Sequence, residues 1–198
     1  MPRPDGEARI AGVAFRILAK EPWTRVTLAS VAKAAKIPLP EMLQIVPSRT
    51  ALIGAMLHSA TVDTAKHYRP DPAAQVRERV FDAIMSWFEA QASRKDAVHA
   101  LYDGLRREPL MLVALRGNFM ASAEWLLALA EADAGPAPSL RATCVGAVVA
   151  HALPVWLSDG DDMGMTMRRL DRDLRRLEKL VWPPQKPQPK ARRKRHSR

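Results

Sequence analysis

Between Thr27 and Leu52 the chain has few ways to fold. The segment runs Thr27-Leu-Ala-Ser-Val-Ala-Lys-Ala-Ala-Lys-Ile-Pro-Leu-Pro-Glu-Met-Leu-Gln-Ile-Val-Pro-Ser-Arg-Thr-Ala-Leu52. The Thr27 hydroxyl is placed to satisfy an orphan amide at a helix start. Leu28, Val31, Ala32 and Ala35 then recur at helical spacing. Pro38 and Pro40 prevent that helix from continuing. A second short helix is predicted at about Pro40–Ile45, with Pro40 tolerated in its first turn. Pro47-Ser48 breaks and recaps, and a long helix follows to about Tyr68. Two short helices around a tight turn, then a long one, is the rhythm of helix-turn-helix modules, whose second helix enters the DNA major groove.

The rest of the chain keeps to helical spacing. Glu7–Lys20 carries Ile10, Val13, Ala14, Ile17 and Leu18 at steps of three and four and ends before Pro22. Arg69-Pro-Asp-Pro72 separates the long helix from a series of further helical patterns with no strand alternation. One spans Val76–Phe88, a second Ala97–Leu105, and a third Leu110–Ala132. After the loop Gly135–Ser139, a fourth, capped by Ser139, runs to about Leu157, and a fifth runs from Met163 to Val181. In that last segment Met163, Met167, Leu170, Leu174, Leu177 and Val181 form a coiled-coil-like seam. Arg168, Arg169, Arg172, Arg175, Arg176 and Lys179 lie on its other side. Such a helix suits packing on the body, a dimer interface shared with the apolar helix before it, or peripheral contact with an anionic membrane surface.

The expected architecture is all-α, with about nine helices. A three-helix helix-turn-helix module (1–50) is joined by a long fourth helix to a helical ligand-binding and dimerisation body (51–182), followed by a disordered basic tail (183–198). Charge supports this division. The formal net charge of +10 resolves into +4 over residues 1–60, −1 over 61–182 and +7 over 183–198. Basicity at the two ends of a neutral body points to a polyanionic partner.

Several classes of chemistry lack their residues. There is no Gly-rich phosphate loop, no His/Cys cluster at metal spacing and no Gly-x-Ser-x-Gly elbow. The five histidines are scattered, and the one cysteine, Cys144, lies in an apolar run where a buried inert thiol is expected. No catalysis, metal or cofactor is expected. The N-terminus lacks the apolar core of a signal peptide, and the apolar run Ala142–Leu157 is interrupted and too short to span a bilayer. A soluble, cytoplasmic protein follows.

Thr27, Val31, Ala32, Ala35, Ile37, Pro47, Ser48, Arg49, Ala51 and Leu52 together resemble the helix-turn-helix module of the TetR family of transcriptional regulators. The order of elements is similar over the whole folded chain. The resemblance implies a homodimer, formed through the last two helices, that binds double-stranded DNA as a repressor and responds to a small apolar ligand in the body. The sequence departs from the family pattern at the reading helix. Pro38 stands in place of a Ser cap, Leu43 in place of a phosphate-touching Tyr, and Ile45-Val46 in place of an aromatic pair. The candidate DNA-facing residues are Leu39, Pro40, Glu41 and Gln44 on the reading helix, with Gln44 for a base edge. Arg25, Thr27, Lys33, Lys36, Ser48 and Arg49 are candidates for the backbone, where contacts position without specifying sequence.

The second half also resembles the TetR-fold lipid-binding proteins of ubiquinone biosynthesis. The segments that carry this are Arg94-Lys-Asp-Ala-Val, Arg106-Arg-Glu-Pro, Trp156-Leu-Ser-Asp-Gly-Asp-Asp and Thr166-Met-Arg-Arg-Leu-Asp-Arg-Asp-Leu. That likeness implies an alternative function, a lipid- or isoprenoid-binding accessory protein that no longer reads DNA. Either way an apolar pocket is expected in the body. Its candidate lining is Met85, Trp87, Met111, Phe119, Met120, Trp125 and Trp156, with His151 available to a ligand or to a neighbouring helix.

Overall fold

The structure, a computed structural model, describes residues 4–134 and 137–182. Ten α-helices follow one another, with no strand among the described residues. They are α1 (Pro4–Leu18), α2 (Leu28–Ala35), α3 (Leu39–Ile45), α4 (Arg49–His67), α5 (Val76–Gln91), α6 (Lys95–Leu105), α7 (Pro109–Ala114), α8 (Arg116–Leu129), α9 (Pro138–Ser158) and α10 (Gly164–Val181). Short 3-10 turns occupy Trp23–Arg25 and Ala92–Arg94. The fold is all-α, as expected; the expected disordered tail, 183–198, lies outside the described residues.

Two hydrophobic clusters organise these helices. The first gathers Ile10, Leu18, Trp23, Val31, Met42, Leu52 and Ile53 from α1 to α4 and adds Leu105 and Leu115 from further along the chain. The second gathers Ile84, Phe88, Leu126, Val145, Trp156 and Leu170 from α5, α8, α9 and α10. Phe88 sits between two indoles, with ring centroids 5.3 Å from both Trp87 and Trp156. Truncating a fully buried aromatic of this kind costs about 3–5 kcal/mol.

Polar contacts fix the body at its far end. Arg77 of α5 bonds Asp171 of α10 at 3.0 Å and lies 3.5 Å from Glu178. Arg141, buried at the start of α9, donates to the carbonyls of Val181 (3.2 Å) and Ala134. At the opposite end of α9, Lys95 donates to the Asp159 carbonyl at 2.7 Å. The Asp159 carboxylate in turn accepts from the amide and hydroxyl of Thr166, at 2.7 and 2.8 Å, in the first turn of α10. Burial pushes that carboxyl upward, but the Thr166 and Gly160 donors outweigh it and hold the pKa below its ordinary value.

Several expectations change. The stretch Leu110–Ala132 is two helices, because the backbone bends at Leu115 and so delivers that side chain, fully buried, into the front cluster. Ser139 is not the cap of α9. Ala137 holds that position in a left-handed conformation (φ 54°), and Ser139 lies inside the first turn. Of the placements open to the α10 seam, packing on the body takes up Leu170 and Leu174, both at 0% exposure. Cys144 is half-buried rather than sealed. Finally, α9 forms over 21 residues, longer than the 142–157 run, and by length and composition it is long enough to cross a membrane. Here Ala142, Val145, Val148, Ala152 and Trp156 bury one side of it in the body core.

Candidate nucleic-acid interface and ligand cavity

The helix-turn-helix geometry is built by local capping. Thr27 Oγ1 accepts from the Ser30 amide at 3.1 Å, while Ser30 Oγ accepts from the Thr27 amide at 3.0 Å. This reciprocal box satisfies two orphan donors of α2. Thr27 keeps its own O–H as a donor. At the other end Lys36 adopts the left-handed conformation (φ 53°), and its amide and that of Ile37 close onto the last carbonyls of α2. Arg9 of α1 donates to the Ala35 carbonyl at 2.6 Å, tying that turn to the first helix. Ser48 Oγ accepts from the Ala51 amide at 3.0 Å and starts α4.

Met42 and Val46 anchor α3, both essentially unexposed, with Ile45 partly buried against the same cluster. Leu39, Pro40, Glu41, Leu43 and Gln44 form the exposed face of α3. Beside them Thr27, Lys33, Lys36 and Ser48 are also exposed. Gln44 is thus the one side chain of the α3 face able to donate as well as accept towards a base edge. Leu39 and Leu43, 41% exposed each, add only apolar surface.

Two basic candidates are placed differently. Arg25 is exposed but pairs with Glu21 at 3.5 Å. Arg49 packs against Trp23. Its guanidinium lies 4.1 Å from the Trp23 ring centroid, donates to the Trp23 carbonyl at 3.1 Å and sits 3.7 Å from Glu108. The strong cation–π and carbonyl partners available there explain this packing. Arg49 therefore joins the front module to the α6–α7 corner. The same corner is held by a close approach: a Cβ on Gly104 of α6 would lie 2.4 Å from Trp23 Cβ.

A cavity of about 420 Å³ opens where the two clusters meet. Its wall is almost wholly apolar, with Ile53, Met56 and Leu57 from α4, Leu101 and Leu105 from α6, Leu126 from α8, and Val149 and Leu153 from α9. Leu112 and Phe119, 40% and 38% exposed, stand where the cavity reaches the surface. A space of this size and lining matches the small-molecule sites of proteins generally.

Of the eight expected lining residues, Trp87 and Phe119 line this cavity. The others stand elsewhere. Met85 and Trp156 are packed into the body core. Met111 packs on the front cluster, its sulfur 3.3 Å from Thr50 Oγ1, and Met120 lies 3.7 Å from Thr143 Oγ1. Trp125 is 55% exposed on the outside of α8. His151 faces α10, with Nδ1 2.8 Å from Asp173 and Arg169 against its ring. Bulk and aromaticity marked core positions rather than the cavity. Missed were Gln91 and the α6 residues Val98, Leu101 and Tyr102. Gln91 had a visible signal, a polar side chain continuing the apolar Ile84, Trp87, Phe88 face of α5.

The comparisons with solved structures agree with this architecture. The chain is similar to a TetR transcriptional regulator from Rhodococcus sp. RHA1, with a TM-score of 0.65 and 15% identity over 87% of this chain and 94% of that one. It is also similar to NalD, the secondary repressor of the MexAB-OprM multidrug efflux pump in Pseudomonas aeruginosa, with a TM-score of 0.50 and 18% identity over 86% of this chain and 95% of that one. No family model and no curated protein sequence matches the chain. At such identities the likeness establishes the TetR-like fold.

Proposed function

We propose that the protein is a dimeric, DNA-binding transcriptional regulator of the TetR kind, acting as a cytoplasmic repressor that responds to a small apolar ligand. The observation that carries this is the exposed α3 face with Gln44, flanked by Lys33, Lys36, Thr27 and Ser48 on a fully capped helix-turn-helix frame. In this reading residues 1–50 dock one half-site and residues 51–182 hold the ligand and the dimer contact. Lysines and hydroxyls grip phosphates while Gln44 meets a base edge. In this reading the dimer contact involves the last two helices, α9 and α10, which expose Leu140, Thr143, Met165 and Met167.

Ligand response follows from where the cavity sits. Leu105 belongs both to its wall and to the front cluster, and Gly104 next to it touches Trp23. Filling the cavity pushes on α6, and α6 bears on the module through Trp23, Arg49 and Glu108. In a dimer this alters the separation of the two reading helices, which must match groove spacing of roughly 34–36 Å.

Fluorescence anisotropy of labelled genomic fragments at low salt tests the proposal. Saturable binding that weakens steeply with salt is expected. Absence of saturable binding sinks it.

A second reading is favoured by the apolar Leu39 and Leu43 on the α3 face: a lipid- or isoprenoid-binding accessory protein of ubiquinone biosynthesis, with the same fold and no DNA contact. Native mass spectrometry of the purified protein separates the two. A co-purifying lipid together with a negative DNA titration selects the second.

A further inference from the structure

The cavity wall contains a polar anomaly. Both amide atoms of Gln91 and the indole nitrogen of Trp87 are buried and have no hydrogen-bond partner among the described residues. Both residues line the cavity. They stand one turn apart on α5, so their side chains are neighbours on one helix face. Buried polar atoms are satisfied almost everywhere in folded proteins, and each exception calls for a reason. Three exceptions on one turn, at the wall of an otherwise apolar cavity, share a reason when a ligand supplies the missing partners.

We propose that the cavity takes a neutral, largely hydrocarbon molecule bearing a carbonyl oxygen. That oxygen accepts from the Gln91 amide and the Trp87 indole N–H; a ligand carrying an N–H or O–H beside its carbonyl also fills the Gln91 oxygen. This rests on the reading of the cavity as a ligand site and adds the chemistry of its occupant. The donors present dictate an acceptor, because indole is donor-only and the amide contributes two further N–H groups.

Neutrality follows from the rest of the wall. Its one charged residue, Arg106, is exposed, with its guanidinium 5.6 Å from the Tyr102 ring centroid. An ionised group beside Gln91 would be buried without a counter-charge, which is strongly unfavourable. Of the two hydroxyl-bearing wall residues, Ser122 of α8 already donates to the Asn118 carbonyl at 3.0 Å, and Tyr102 of α6 is only half-buried. Recognition therefore concentrates on α5.

The test uses the full chain and N-phenyl-1-naphthylamine, an apolar fluorophore, displaced by three probes of similar length: 2-undecanone, decanamide and decanoate. The neutral carbonyl probes should displace it about tenfold more tightly than decanoate. Gln91→Leu should abolish that preference, read as the ratio of displacement constants after each is corrected for the variant's own fluorophore affinity. If Gln91→Leu is not recovered folded, Gln91→Met, of similar length and without the amide, carries the same expectation. No fluorophore binding to the parent overturns the ligand-site reading and this inference together. Binding with equal displacement by all three probes, tighter displacement by decanoate, or a preference that survives loss of the amide overturns this inference alone.

Discussion

Gly104→Ala sets two effects of opposite sign against each other. A Cβ built on Gly104 falls 2.4, 2.6 and 2.7 Å from Cβ, Cδ1 and Cγ of Trp23. Non-bonded carbons rest at about 3.5–4.0 Å, so the shortfall is about 1 Å against three atoms. Trp23 is wholly buried and its carbonyl is held by Arg49, so the ring has no free direction to swing. Overpacking of this kind costs about 1–3 kcal/mol. Against it stands the helix propensity of Ala over Gly, at most about 1 kcal/mol and less here in the last turn of α6. The clash wins, by about 1–2 kcal/mol. For a chain of this length that lowers Tm by about 2–8 °C. Gly117→Ala in α8 is the control, since its Cβ meets nothing within 4 Å. It should be neutral or stabilising by up to about 1 kcal/mol. Urea and thermal unfolding followed by circular dichroism at 222 nm measure both. A Gly104→Ala variant as stable as the parent, or more so, would refute the argument that α6 rests directly on Trp23.

Arg49→Ala should cost about 1–2 kcal/mol, because it loses the Trp23 ring and carbonyl as well as Glu108; in a double-mutant cycle with Glu108→Ala a coupling of about 0.5–1 kcal/mol is expected, and strict additivity would deny the link. Asp159→Asn removes a carboxylate whose folded pKa is depressed. Its stabilisation is present above the ordinary value of 3.8 and is lost as pH falls through the lower folded value, so parent and variant should differ in urea midpoint at pH 7 and converge in acid. Convergence at neutral pH would contradict the capping role. Tyr68 is pushed up to about 12, first by burial and then by Asp82, while its hydroxyl donates to the Arg79 carbonyl at 2.8 Å. Ultraviolet titration of a Tyr102→Phe variant should show the remaining phenolate appearing near that value, with stability falling as pH rises from about 10 toward it; ionisation near 10 in the folded state would show the hydroxyl to be open to solvent.

What could be read from the chain was whatever depends on neighbours a few residues apart. The Thr27 and Ser48 caps, the breaks at Pro38 and Pro47 and the apolar spacing of α2 and α4 are local chemistry, and each stands where its residues put it. Direction in space was not legible. Arg49 is a candidate phosphate contact by sequence, and only the fold shows its guanidinium packed on Trp23, 26 residues earlier. The α10 seam has the spacing of an intermolecular coil, yet the body core takes up Leu170 and Leu174. Leu115 breaks a helix that its own propensities favour, because the front cluster needs it more. The cavity was partly legible for the same reason. Trp87 and Phe119 sit on it, but five equally large or soft side chains and His151 do not, since a wall is defined by how five or more helices converge and not by bulk along one of them.

Arg141 also fixes where α10 ends. It clasps Val181 beside Ala134, at the end of the molecule where Arg77 meets Glu178 and where α4 runs out at His67. The helix-turn-helix lies at the other end of α4, about 28 Å away for a helix of 19 residues. Arg141 thus holds the end of α10 one full length of α4 away from the helix-turn-helix, and the two ends of the described chain stand at opposite poles of that helix.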